Sequence, residues 1–194
     1  MTACLRFWPS AMRGRAAAWA LLLALAGLLG AAPARAEGVE LTHLSLQRLD
    51  PGLTLDFSAR VALPRVVEDA LQRGVPLYFV AEATVYRHRW YWRDARVARA
   101  TRSWRLSYQP LSDSWRVSLG GLAQSHATLQ EAVTALSSSA RWKIADNSQI
   151  EPDERYYVEF SYKLDTSQLP GPMQFGIGGH ADWVLGVERV VKVE

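Results

Sequence analysis

Between Tyr156 and Leu164 every second residue is apolar: Tyr156, Val158, Phe160, Tyr162 and Leu164 alternate with Tyr157, Glu159, Ser161 and Lys163. A period of two is the signature of a strand, whose successive side chains point to opposite faces, so one face is dry and the other wet. The pattern recurs upstream, where Leu53, Leu55, Phe57, Ala59 and Val61 alternate with Thr54, Asp56, Ser58 and Arg60. Residues 39–49 read as the partner of that strand, with Asp50-Pro51-Gly52 as the turn between them.

Further strands follow. Val75 to Trp92 is a long β-type run, Arg93-Asp94 a reversal, and 96–108 the returning strand. Pro110 and Asp113 mark a turn into Trp115–Leu119, which Gly120-Gly121 ends. Arg141 to Ala145 is a short strand, and Trp183 to Val193 supplies the last one. Two segments switch to helical spacing. Pro64 opens the first, with Val66, Val67, Ala70 and Leu71 on one side and Gly74 as the stop. Thr128-Leu129-Gln130-Glu131 has capping-box spacing and precedes Ala132, Val133, Ala135 and Leu136. About eight strands with two short helices, and no regular strand–helix alternation, predict a mainly β chain. The expected architecture is an antiparallel two-sheet β-sandwich rather than a barrel.

The first 36 residues stand apart. Arg6, Arg13 and Arg15 precede an uncharged apolar run from Ala16 to Ala32, and Ala34-Arg35-Ala36 places small residues around a cut before Glu37. That is the layout of a secretory signal peptide, so 1–36 is read as a leader and 37–194 as a single domain exported to the periplasm or cell envelope. Seventeen residues of helix reach about 25 Å, short of the ~30 Å hydrocarbon core. Only a retained leader would bring membrane contact. The leader also reverses the charge. The chain has 22 Lys and Arg against 19 Asp and Glu, but four of the arginines and none of the acids lie in 1–36, so residues 37–194 carry a small net negative charge. Attraction of the whole domain to nucleic acid loses its basis, and no nucleic-acid partner is expected. The single cysteine, Cys4, also belongs to the leader, so the domain must be held by packing rather than by disulfides.

One strip is strongly basic. Arg87, Arg89, Arg93, Arg96, Arg99, Arg102 and Arg105 are interleaved with Tyr86, Trp90, Tyr91, Trp92, Trp104 and Tyr108, and Asp94 is the single acid among them. Five of the arginines recur at every third residue from 93 to 105, which on strands divides them between the two sheet faces. Arginine forks grip phosphate or carboxylate, and Trp and Tyr stack on sugar rings or lipid headgroups. Arg87, Arg89, Trp90, Trp92, Arg93 and Arg96 are therefore the candidate contacts to an anionic partner: an envelope protein, a glycan or a lipid headgroup. The competing reading is a purely structural hairpin, with arginines lying over aromatic faces and paired to a counter-cluster of Glu151, Asp153, Glu154 and Glu159.

Chemistry-bearing motifs are scarce. His43, His88, His126 and His180 lack metal-ligand spacing, and no G-x-S-x-G occurs. Ser125-His126 beside Gly120-Gly121, and His180 with Asp182 on a glycine-rich loop, lack the remaining members of a catalytic set. The acidic stretch 146–154 lacks the order of a calcium loop. No catalytic residue, metal site or cofactor is expected. The expected function is a binding or interaction module. The alternatives are an envelope structural subunit without ligand, or a hydrolase built on paired carboxylates.

Several stretches, in order, resemble one proteobacterial secreted family, domain of unknown function 4390. They are Gly74-Val75-Pro76-Leu77, Arg89-Trp90-Tyr91-Trp92, Arg105-Leu106-Ser107-Tyr108 with Trp115-Arg116-Val117, and Asp165-Thr166-Ser167 with Leu169-Pro170 and Asp182-Trp183. The resemblance covers roughly 39–190 and implies a secreted or envelope-facing protein with no assigned activity, so it transfers no catalytic residue. After Asp182-Trp183 the family pattern continues through Asn and a further Trp, whereas here Val184 follows and no later Trp exists.

Overall fold

The alternating segments pair into two antiparallel sheets that share one core. The computed structural model describes residues 38–91, 93–169 and 181–193. The leader read in 1–36, Trp92 and His180 lie outside the described residues.

The smaller sheet has the order β1-β2-β7, from β1 (Gly38–Leu49), β2 (Gly52–Ala62) and β7 (Ser138–Asp146). The larger has the order β6-β5-β4-β3-β8-β9. Its strands are β3 (Leu77–Arg87), β4 (Ala95–Gln109), β5 (Ser114–Leu119), β6 (Leu122–His126), β8 (Tyr156–Leu164) and β9 (Gly186–Lys192). This is the expected sandwich, with nine strands among the described residues and two short helices. Helix α1 (Arg65–Gln72) lies against β4, and α2 (Leu129–Leu136) lies against β5, β6 and β7.

The period-two segments meet in the middle. All five apolar residues of β8 are buried, as are Leu53, Leu55, Phe57 and Val61 of β2. Phe57 crosses from the small sheet to pack on Phe160 at 5.0 Å, Tyr162 at 5.4 Å and, edge-on, Trp104 at 6.0 Å between ring centroids. Burying each such side chain stabilises the fold by about 1.5–3 kcal/mol, and aromatic pairing adds about 0.5–1.5. Tyr162 keeps its polar tip satisfied by donating from its hydroxyl to the Leu136 carbonyl at 3.1 Å, which pins the end of α2 to the large sheet. Burial pushes that phenol well above its ordinary pKa.

Both helix starts and stops follow the residues that predicted them. The Pro64 carbonyl accepts from the N–H groups of Val67 and Glu68, and α1 ends where Gly74 takes φ +86° and Val75 N–H returns to Ala70. Val67, Ala70 and Leu71 are buried, but Val66 faces solvent. In α2 the Thr128 hydroxyl accepts from Glu131 N–H at 3.2 Å, while the Glu131 carboxylate accepts from Ala127 N–H at 3.2 Å.

Four expectations about strands change. β3 stops at Arg87 rather than Trp92: His88 N–H still bonds in register to the Arg155 carbonyl ahead of β8, but Arg89 N–H turns to the Asp94 carboxylate. β6 is an additional strand: Gly120, at φ +57°, and Gly121 make a two-residue reversal that folds 122–126 back onto β5. β7 runs from Ser138, longer than 141–145, and passes through Arg141 at φ +46°, whose N–H is held by the Asp56 carboxylate. The last strand begins at Gly186, with Trp183 buried in a 3-10 turn ahead of it.

Candidate functional site

The β3–β4 hairpin carries the basic strip, and its register sorts the arginines. Tyr86 pairs with Arg96, Thr84 with Arg99, Ala81 with Arg102 and Tyr78 with Arg105. Arg96, Arg99 and Arg105 are exposed, on the solvent face of the large sheet. Arg102 shares the parity of buried Trp104 and Leu106 and turns inward, where it is half-buried.

Residues 88–94 connect the two strands, and Asp94 braces their base. One of its carboxylate oxygens accepts from Arg89 N–H at 3.0 Å and lies 3.2 Å from His88 Nδ1. The other accepts from the Tyr157 hydroxyl at 2.9 Å. The backbone donor at Arg89, helped by Tyr157 and His88, holds the Asp94 carboxyl below its ordinary range. Burial, together with the bond to Asp94, pushes the Tyr157 phenol up to about 12. Tyr157 also stacks on Tyr86 at 5.3 Å, so loop, β3 and β8 are clamped at one point.

Above that base the loop is open. Trp90 is 88% exposed and Tyr91 65%, with their rings edge to face at 5.2 Å. Arg93 and Arg96 are exposed beside them, and neither has an ion-pair partner among the described residues. Arg89 is half-buried and contributes its backbone to the brace. Arg87 points to the adjoining acidic loop, where it pairs with Glu151 at 3.1 Å. Of the six candidate residues, Trp90, Arg93 and Arg96 thus share an accessible end of the sheet, while Arg87 and Arg89 serve its foundation.

The expected counter-cluster forms only in part. Glu151 holds Arg87, but Asp153, Glu154 and Glu159 make no ion pair among the described residues. Arg99 is instead held by Glu82 at 2.6 Å, a partner two strand positions from its direct neighbour Thr84. That carboxylate raises the Arg99 guanidinium above its ordinary pKa. Glu82 also lines a trough of about 640 Å³ on the outer face, together with Glu159, Lys163 and Glu188. Glu82 is half-buried there, and Glu159 and Glu188 are exposed.

Residue type alone did not single out Arg102. Its Nη1 donates to Ser139 Oγ at 2.6 Å, and its guanidinium lies 5.4 Å from the Trp142 ring centre. No carboxylate reaches it among the described residues, and burial depresses its pKa. The signal was available in the parity it shares with Trp104 and Leu106.

Together these features define a class: an antiparallel β-sandwich domain that presents a braced loop of exposed aromatic and basic side chains. The chain belongs to the family described as Domain of unknown function (DUF4390), whose pattern matches residues 36–192. No curated protein and no solved structure matches it.

Proposed function

We propose that the protein is an exported binding module of the cell envelope, and that the 88–94 loop with Arg96 contacts an anionic envelope partner. The observation that carries the reading is Trp90 standing 88% exposed on a loop whose base is locked by Asp94. A large apolar ring held in water on a rigid support contributes nothing to the fold, and rigid aromatic anchors flanked by arginine are the usual core of a binding surface. Arg93 and Arg96 supply charge with no ion-pair partner among the described residues. Export rests on the layout of residues 1–36.

The test is retention of the full chain by anionic vesicles and by peptidoglycan sacculi, measured for wild type and for Trp90→Ala combined with Arg93→Gln. Retention that weakens with salt and drops about tenfold or more in the double variant, with the melting temperature unchanged, is the expected result. Equal retention of both proteins on every surface would sink the proposal. The structural-subunit alternative draws on Arg87–Glu151 and Arg99–Glu82, where arginines serve the sheet itself. It expects equal retention of wild type and double variant, and a lower melting temperature when Arg87→Gln breaks the pair with Glu151.

A further inference from the structure

The two sheets differ in width, and on one side the sandwich stays open. There β6, the edge of the large sheet, faces β7, the edge of the small one, across a cleft of about 220 Å³. Trp104, Val117 and Leu119 form its floor from the inner face of β4 and β5. Ala135 of α2 and Ala140 of β7 continue the apolar lining, and Leu122 of β6 stands 78% exposed at the lip. Into this apolar space projects one cation, Arg102.

An inward-facing charge is costly unless something pairs with it. Of the five N–H donors of the Arg102 guanidinium, one is used, on Ser139 Oγ, and no carboxylate lies within ion-pair distance among the described residues. Trp142 supports the planar group from beneath, which fixes its position without neutralising it. Ser138 and Gln124 add hydrogen-bonding groups at the rim. A pre-positioned fork beside an unfilled apolar cleft matches a ligand with an anionic head and a short apolar tail.

We propose that this inter-sheet cleft binds a small aliphatic carboxylate, its head bidentate on Arg102 and its chain along Trp104, Val117 and Leu119. Size sets the class. An apolar cavity of about 150 Å³ accepts a benzene-sized guest, so the cleft suits a short or medium chain rather than a long fatty acid. A carboxylate is favoured over a cationic or neutral head because, among the described residues, the one charged group lining the cleft is positive. This site is separate from the 88–94 loop, and its success or failure is independent of the loop's role.

The experiment is calorimetric titration of the full chain with octanoate, octanol and butanoate, together with nuclear magnetic resonance shifts of the Arg102 Nε–H and Trp104 indole N–H. Saturable one-site binding of octanoate is expected, with octanol and butanoate each about tenfold weaker or more, since one lacks the charge and the other most of the tail. Arg102→Met keeps an apolar stem and should weaken octanoate by about tenfold or more. Ala135→Leu, which fills the cleft and leaves the arginine, should also weaken it and serves if the first variant does not fold. The proposal is overturned if octanoate shows no saturable binding, if octanol binds equally well, or if the resonance shifts cluster on the 88–94 loop instead of the cleft.

Discussion

Arg99 and Arg102 stand three residues apart on the same strand and face opposite worlds. Arg99 points to solvent, finds Glu82 at 2.6 Å and is held more firmly protonated by it. Arg102 points between the sheets, has a serine and an indole for company, and is depressed by burial. An odd step along a regular strand reverses the face, so Arg99, Arg102 and Arg105 point out, in and out, while the bulge between Ala98 and Arg96 keeps Arg96 on the outer face with Arg99. Identical side chains thereby become a surface ion pair and a half-buried, inward-facing cation with spare donors. Exposed pairs of the first kind usually contribute little to stability, whereas a partly desolvated cation without a counter-charge is a cost to the fold.

The severest way to break the contrast is to remove what holds the inward arginine. Trp142 is buried and lies beneath the guanidinium, so Trp142→Ala should cost about 3–5 kcal/mol in a urea denaturation, mostly from the cavity. Arg102→Met should behave quite differently. It loses the Ser139 bond and the ring contact but also relieves a desolvated charge, so stability should stay within about 1 kcal/mol of wild type. A loss of about 3 kcal/mol in Arg102→Met would mean that the inward arginine holds the sheets together, and the contrast with Arg99 would collapse.

The same parity explains what the sequence disclosed and what it hid. β8 was legible in full because Tyr156, Val158, Phe160, Tyr162 and Leu164 are all buried and all separated by residues that tolerate water. The sandwich, both helices and the β1–β2 turn followed from comparably local signals. β6 was not legible, because Leu122–Ser125 all lie on the exposed edge and show no wet–dry alternation; the Gly120-Gly121 reversal was its only trace. The end of β3 was hidden for another reason. Residues 88–92 have strand-like composition, and it is the Asp94 carboxylate, from across the loop, that takes Arg89 N–H out of the ladder. Of the candidate site, residue type located the loop but not the roles within it: Arg87 and Arg89 brace, while Trp90, Arg93 and Arg96 present.

A smaller effect is expected at the brace. Asp94 has a depressed pKa in the fold, so its contribution is present above the ordinary carboxylate pKa of about 4 and is lost as pH falls from there through the lower folded value. Asp94→Asn should therefore lower the melting temperature by a few degrees at pH 7, with the difference from wild type shrinking toward pH 3. A gap that stays constant across that range would show that the carboxylate's charge is not what fastens the loop. Tyr157 titrates in the opposite sense. Its raised pKa means stability is lost as pH climbs from about 10 toward 12, and Tyr157→Phe should flatten that alkaline limb.

The smallest change is expected at the outward arginine. Both partners of the Arg99–Glu82 pair reach solvent, with 54% and 30% of their side chains exposed, and water competes for each. Arg99→Gln should move the melting temperature by less than about 2 °C, and 0.5 M NaCl should reduce even that difference. Octanoate binding should be untouched, because the side chain lies on the far face of the sheet from the cleft. If Arg99→Gln instead destabilised the protein more than Arg102→Met, the surface pair would be the structural one. The spare donors of Arg102 would then have to be explained by the proposed carboxylate alone.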